Sequence, residues 1–230
     1  MKNLRIVIVI GMLFLFTNSY AQLKDMGPGK TKDEKKSAKT YLDLMVNMVS
    51  TNLNYGGANS IVADHKKSMN GIQAGASLQA GITPQFSLVT ELYFIRKGGK
   101  LKTTNPLSGK ESTLRLNTLE LPVLARFHMG KFFLNAGPSI AYNLSGNKKI
   151  NEVSTKLSFN NTSEGFKRFD AGIQLGGGIE FPFKQKRIAL DIRYSYGLTN
   201  ISYAKEIYNR ILMISVLFSK AWKTNPLGKK

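Results

Sequence analysis

The sequence predicts an all-β protein, an eight-stranded antiparallel up-and-down transmembrane β-barrel with short periplasmic turns and long extracellular loops. Three observations lead to this prediction. Eight segments are predicted as strands, and in most of them apolar and polar residues alternate with the period of two that is typical of strands. The connections between these segments alternate between tight turns and long polar loops, as in outer-membrane barrels. The chain also begins with the features of an export signal.

The first 21 residues have the three parts of a secretory signal peptide. Lys2 and Arg5 are basic, Ile6–Phe16 is an apolar run, and Ser19–Ala21 has the small-x-small pattern of a cleavage site. The apolar run is about half the roughly 20 residues that a membrane-spanning helix needs. We therefore expect cleavage before Gln22 and export from the cytoplasm.

Composition excludes several classes of function. The chain contains no cysteine, so disulfides, thiolate nucleophiles and cysteine-based metal sites are excluded. Its formal charge is +19 and falls to +17 once Lys2 and Arg5 are removed. An exported chain does not ordinarily meet nucleic acid, so no nucleic-acid partner is predicted. Residues 22–40 are polar and lysine-rich, and they predict a flexible periplasmic leader.

The barrel is predicted to occupy residues 41–218, followed by a C-terminal tail over residues 219–230. An even number of strands places both chain ends in the periplasm. The tight connections cover residues 83–85, 129–131 and 182–187, and the long ones cover 55–68, 96–113, 145–168 and 199–209. The eight predicted strands are Tyr41–Asn54, Met69–Ile82, Phe86–Ile95, Leu114–Met129, Phe132–Leu144, Phe169–Phe181, Ile188–Leu198 and Arg210–Phe218.

Alternation assigns two faces to most strands, one apolar and one made of small, polar and charged residues. The eighth segment is an exception, because its apolar run is continuous and leaves its register open. An eight-stranded barrel has room for interior side chains but not for a wide channel, so polar-face charges must pair with one another there. The predicted lumen charges are Glu91, Glu120, Arg126, Asp170, Glu180, Asp191 and Arg193.

A soluble lipocalin-like carrier is the structural alternative that the alternation leaves open. It also has eight antiparallel strands, but its apolar face lines a cavity and its polar face meets water. In that case the glycine-, glutamine- and aspartate-rich face of this chain would be its exterior.

Several motifs resemble the PorT-like outer-membrane β-barrel family of Bacteroidetes. They are Glu91–Gly98 (ELYFIRKG), Leu119–Pro122 (LELP), Ala136–Pro138 (AGP), Gly176–Gly178 and Arg193–Asn200 (RYSYGLTN). The resemblance covers roughly residues 71 to 218 and implies an outer-membrane barrel of about eight strands. It implies no single activity, because the family is functionally diverse.

The resemblance also implies the barrel-insertion machinery as a partner. Barrels of this kind usually end on an aromatic residue that the machinery reads. Here Phe218 or Trp222 is followed by a further polar stretch, so the insertion signal is expected to be internal.

Catalytic residues are sparse. The chain has two histidines, His65 in the first long loop and His128 at the opposite end of the barrel. Asp64, His65 and Ser68 are the one grouping that could serve a lipid-modifying enzyme, which needs an acid, a base and a nucleophile together. No metal-ligand spacing is present, and no catalytic residue, metal or cofactor is predicted.

The leading functional hypothesis is a non-enzymatic outer-membrane barrel with a structural or surface-binding role through its long loops. The predicted partners are outer-membrane lipid and lipopolysaccharide, together with an unidentified envelope protein. The alternatives are a narrow porin-like channel, a lipid-modifying enzyme and a soluble carrier. Loop lysines expected to contact lipopolysaccharide phosphates, or otherwise only water, are Lys97, Lys100, Lys102, Lys110, Lys148, Lys149 and Lys156.

Overall fold

The computed structural model describes residues 39–106, 108–183 and 186–221. Eight long strands dominate this part of the chain, and each pairs antiparallel with the next. They are β1 (Tyr41–Tyr55), β2 (Met69–Gly81), β3 (Phe86–Leu101), β4 (Ser112–Met129), β5 (Phe132–Ile150), β6 (Phe169–Phe183), β7 (Lys186–Gly197) and β8 (Ile207–Ala221).

The sheet closes on itself because β1 also pairs antiparallel with β8. The predicted eight-stranded antiparallel barrel is therefore confirmed. Two short strands add to it at the long-loop end, with Lys66–Lys67 against β3 and Val153–Lys156 against β5. A 3-10 helix, Gly57–His65, follows β1. No helix among the described residues is long and apolar enough to cross a membrane.

The two faces of the wall are those that alternation predicts. On β4, Leu119 and Leu121 point outward and are exposed, whereas Glu120 and Arg126 point into the lumen and are buried. Closure of the sheet hides the polar face and leaves the apolar face outside. A soluble lipocalin-like carrier needs the opposite arrangement, so this alternative was wrong.

The first and last strands acquire a definite register. On β1, Asp43 and Asn47 point inward, and Val46 points outward. On β8, the continuous apolar run divides into Met213 on the inner face and Ile214 on the outer face. Because β1 and β8 contribute apolar residues to both faces, the lumen is partly apolar.

Several strands are longer than predicted. β3 continues to Leu101 and β5 to Ile150, so parts of the predicted loops 96–113 and 145–168 are paired strand. The prediction followed apolar alternation, which ends where the outward residues become polar, whereas ladder hydrogen bonds continue past that point. β8 likewise reaches Ala221, which corrects the predicted tail boundary at residue 219. The signal peptide, nearly all of the leader and residues 222–230 lie outside the described residues.

Glycines on the inner face allow the backbones of neighbouring strands to approach closely. A Cβ atom at Gly75 on β2 would lie 2.2 Å from the Leu92 carbonyl oxygen and 2.5 Å from the Tyr93 Cα. Both atoms belong to the backbone of β3, so neither can move without disturbing the sheet. There is therefore no space for any side chain at position 75, and glycine is required there.

We predict that Gly75→Val destabilises the barrel by about 1–3 kcal/mol, because the new side chain overlaps backbone atoms. The measurement is the temperature at which the fast-migrating folded band converts to the slow unfolded band on a denaturing gel. Ala74→Val is the matched control, since Ala74 is the outward neighbour on the same strand. Equal conversion temperatures for the two variants would contradict the prediction.

Candidate functional site

Two arginines cross the lumen near the end with the short turns. Arg126 donates from Nη2 to Asp191 Oδ2 at 3.1 Å and from Nη1 to Gln79 Oε1 at 2.8 Å. Arg187 donates from Nη1 to the same Gln79 oxygen at 2.7 Å and from Nη2 to Asp43 Oδ2 at 3.3 Å. The Gln79 amide oxygen therefore accepts hydrogen bonds from two guanidinium groups, one on β4 and one on β7. The carboxylates of Asp191 and Asp43 balance the two positive charges.

We call this group of side chains around Arg126 and Arg187 the first level of the lumen. A histidine–glutamate pair belongs to it and lies toward the short-turn end. His128 Nδ1 lies 3.2 Å from Glu180 Oε1, and its Nε2 lies 3.0 Å from Ser87 Oγ. Glu180 also accepts from Arg187 Nη1 at 3.1 Å. These side chains are partly exposed, so the short-turn end of the network reaches water.

The middle of the lumen is crossed by Arg193 on β7. Its two terminal nitrogens donate to the two oxygens of Glu91 on β3, at 2.9 and 2.8 Å. This bidentate geometry is the strongest form of arginine–carboxylate pairing. Arg193 Nε also lies 3.3 Å from Asp191 Oδ1. Since Asp191 also accepts from Arg126, it connects this second level to the first. Gly176 on β6 provides the space, because a Cβ there would lie 2.5 Å from Arg193 Cγ.

Lys97 forms the third level and corrects the sequence prediction. It was expected on an exposed loop, but it lies in the lumen on the extended part of β3, with only 2% of its side chain exposed. Its Nζ donates to Glu120 Oε2 at 3.3 Å and to Asp170 Oδ2 at 3.1 Å. The same aspartate oxygen accepts from Asn209 at 2.6 Å. Lys97 is therefore a structural cation and does not reach surface phosphates.

Apolar side chains fill the space between and above these charged levels. One cluster lies in the barrel interior, and a second lies beneath the long loops. The first comprises Met45, Val49, Tyr93, Ile95, Phe133, Ala189, Ile211, Met213 and Leu217, and the second Leu53, Leu114, Leu116, Phe166, Ile201 and Ile207. A cavity of about 10 Å³ beside Lys97 has room for roughly one water molecule. The described lumen is therefore plugged at several levels.

Six of the seven predicted lumen charges are buried in the lumen, and the seventh, Glu180, is partly exposed and contacts His128 and Arg187 at the short-turn end. Sequence reasoning missed three further charges in the lumen, Asp43, Lys97 and Arg187. Lys97 and Arg187 continue the alternation of their strands beyond the point where the apolar partner face was clear. Asp43 lies between Leu42 and Leu44 on a clear apolar alternation, so the period of two already marks it as inward. For example, Arg187 precedes Ala189, Asp191 and Arg193 at steps of two. Extending the period of two by one position would have found it.

The six other predicted lysines lie at the long-loop end, and none of them is buried. Lys100 and Lys149 face outward in one register row, because both pair with Thr113. Lys102 donates to the Asp64 carbonyl at 3.2 Å, and Lys149 pairs with exposed Glu152 at 3.1 Å. These six residues are Lys100, Lys102, Lys110, Lys148, Lys149 and Lys156.

Lys148 differs from its neighbour because it faces the barrel mouth. Partial burial and the nearby ammonium of Lys148 together lower the pKa of Lys205, in the loop between β7 and β8. The two lysines thus lie close enough to repel each other.

The proposed acid–histidine–serine grouping is not assembled in the loop. His65 Nδ1 lies 2.9 Å from Thr104 Oγ1, and Ser68 accepts a hydrogen bond from Asn52 at 3.3 Å. No group of three or more metal-binding side chains occurs within the described ranges.

Comparison with known proteins identifies a family. The family model described as outer membrane protein beta-barrel domain matches residues 19–203. No curated protein sequence matches the chain. Among solved structures, Ail of Yersinia pestis is 10% identical over 80% of this chain and 99% of its own, with a TM-score of 0.44. Neisserial surface protein A is 12% identical over 80% and 97%, also at 0.44. OprG of Pseudomonas aeruginosa is 11% identical over 81% and 97%, at 0.42.

We predict that Arg193→Met destabilises the barrel by about 3–5 kcal/mol, because Glu91 is left as an unpaired buried charge. Urea unfolding in detergent, followed by circular dichroism, measures the loss. Adding Glu91→Gln should restore most of the stability, since Asp191 keeps its contact with Arg126. Lys149→Met removes an exposed pair and serves as the control, with an expected cost of about 0–1 kcal/mol. A cost as small for Arg193→Met would contradict the prediction.

Proposed function

The chain belongs to the outer membrane protein beta-barrel domain family, and on that premise we propose that it is a non-enzymatic, non-conducting barrel that binds lipopolysaccharide phosphates. The outer membrane is its location. We also propose that it belongs to the PorT-like branch of Bacteroidetes, which the motifs quoted above support. Export by a cleaved signal peptide and insertion by the barrel machinery are parts of the same proposal.

One observation supports the binding role. On the outer surface of β3–β5, apolar residues are replaced by basic and polar ones from one outward-facing row of side chains to the next. Phe94, Leu119 and Tyr142 form one outward row across these strands. The next row toward the long loops contains Arg96 and Asn117, whose side chains are joined by a hydrogen bond of 3.2 Å. Aromatic residues at such a boundary are typical of a membrane interface.

Above this boundary, outward-facing cations continue in further rows. We name this surface the basic wall; it comprises Lys67, Arg96, Lys100, Arg115, Lys149 and Lys156. Neighbouring strands are about 4.8 Å apart, so Lys67, Lys100 and Lys149 span roughly 14 Å along one row. A row of cations directly above an apolar belt matches a layer of lipid phosphates above acyl chains.

The plugged lumen supports the absence of conduction. Three levels of ion pairs and two apolar clusters would all have to open before an ion could pass. Contacts of His65 with Thr104 likewise support a structural role for that loop rather than catalysis. An unchanged lipid A profile in cells carrying His65→Ala is the expected result, and a changed profile would favour the lipid-modifying enzyme.

Removing the basic wall should weaken lipopolysaccharide binding. We expect Lys100→Glu with Lys149→Glu to lower the affinity of the detergent-purified barrel by about tenfold or more, at about 1 kcal/mol per cation. Immobilised lipopolysaccharide in low salt provides the measurement. The control is Lys131→Glu with Lys186→Glu, which makes the same change in net charge at the short-turn end. Equal losses in both double variants would reject a site on the wall.

Planar-bilayer recordings test the closed lumen. We expect no stable conductance steps from the purified protein, because no continuous aqueous path crosses the described barrel. Folding is verified by the heat-dependent gel shift of the same sample. Reproducible steps from folded protein would instead support the narrow porin-like channel.

A further inference from the structure

The pairing between β1 and β8 has the longest interruption of any strand pair in the described barrel. The two strands pair from Met48 with Ile214 up to Tyr55 with Ile207, and again at Leu42 with Lys220 and Tyr41 with Ala221. Between these sections, Asp43–Asn47 and Ser215–Ser219 have no ladder partners across the joint. Five residues correspond to roughly 16 Å of wall, about half of the ~30 Å hydrocarbon thickness of a bilayer.

A groove on the outer wall lies beside the point where this pairing stops. Its volume is about 440 Å³, within the roughly 300–1,000 Å³ range of ligand pockets. The outward apolar residues that line it are Val46, Met48, Leu212, Ile214 and Val216. The sides of the groove are therefore mainly hydrocarbon surface, and the inward-facing Asn47 and Val49 also border it.

The sequence explains why the groove forms here. Leu44 and Val46 on β1 have Ala76 and Ala74 as their register partners on β2, so little side-chain bulk covers them from that side. On the other side, the gap in pairing separates them from β8. Leu44 and Val46 are consequently 86% and 76% exposed. Met48, which pairs with Ile72 and Ile214, is 72% exposed.

The upper end of the groove is polar. Ser50 and Asn70 line it and are register partners on β1 and β2. Arg210 lies on the same face of β8, one outward position above Leu212 and about 7 Å along the strand. Its guanidinium stacks 3.4 Å from the Tyr196 ring centre, and its Nη1 donates to the Gly197 carbonyl at 2.8 Å. These contacts hold the cation on the β7 side of β8, one outward position beyond the residues that line the groove.

We propose that this groove is a binding site for one anionic membrane lipid, with an acyl chain along the apolar part and the headgroup phosphate beside Arg210. An apolar groove with polar residues and a cation toward one end matches the two ends of such a lipid. An acyl chain fills a concave apolar surface that a flat wall would not provide, and so gains dispersion contacts on several sides. The site lies across the barrel from the basic wall, so it is independent of the proposed lipopolysaccharide contact.

The test counts lipids that stay bound to the full-length barrel. The protein is reconstituted in an equimolar mixture of phosphatidylglycerol and phosphatidylcholine, and native mass spectrometry records what each barrel retains. We expect one phosphatidylglycerol on the wild type and none on Val46→Trp, whose indole fills the groove. Leu190→Trp, on the outer face of β7, is the matched control and should retain the lipid. Val216→Trp provides a second groove-filling variant, and the heat-dependent gel shift verifies folding of each.

Two further measurements separate the parts of the site. Arg210→Gln should lower the preference for phosphatidylglycerol over phosphatidylcholine by about fivefold, whereas Arg96→Gln should not change it. Inorganic phosphate should not displace the lipid, because most contacts are with the acyl chain. Equal lipid retention by the groove and control variants, no retained lipid on the wild type, or displacement by phosphate would overturn the proposal. Lys100→Glu with Lys149→Glu should leave this lipid in place, which separates the outcome from that of the basic wall.

Discussion

The need to neutralise charge inside a narrow barrel governs the rest of this structure. Six carboxylates and four basic side chains, with His128, face a lumen that has little room for water. An unpaired ion there would be very costly, so each long basic side chain must reach its partners across the barrel. The glycines of β6 make this possible by leaving space opposite Arg193. The lumen is thus a cross-linked interior that ties non-adjacent strands together, and its chemistry stabilises the fold.

Because the interior is filled, interactions with other molecules are confined to the outer surface and the loops. Two different surfaces lie on opposite sides of the barrel. On β3–β5 the wall continues beyond the apolar belt and carries cations in regular rows. At the joint of β1 and β8 the pairing is interrupted within the apolar belt itself. The first surface carries the charges of the proposed lipopolysaccharide contact, and the second is a groove whose sides are mainly apolar.

The alternating pattern predicted the fold and most of the lumen for a clear physical reason. Glu120 and Arg126 could be placed inside because their neighbours on β4 form an unbroken apolar face. Lys97 could not, because the outward residues around it are Arg96 and Gly98, so apolar alternation had already ended. The run at β8 was ambiguous for the opposite reason, since both of its faces are apolar. Partners such as Arg193 and Glu91 are 102 residues apart, and only the closed sheet brings them together.

The short strand Val153–Lys156 extends the sheet above the barrel and pairs only with β5 among the described residues. Its outer edge therefore offers backbone groups to any neighbouring strand, which is how sheets from separate molecules join and aggregate. Its length of four residues and its terminal Lys156 both oppose such joining. In a crowded membrane, copies of this protein would approach one another with like-charged edges. Their spacing would then depend on ionic strength, widening as dilution lengthens the range of the repulsion.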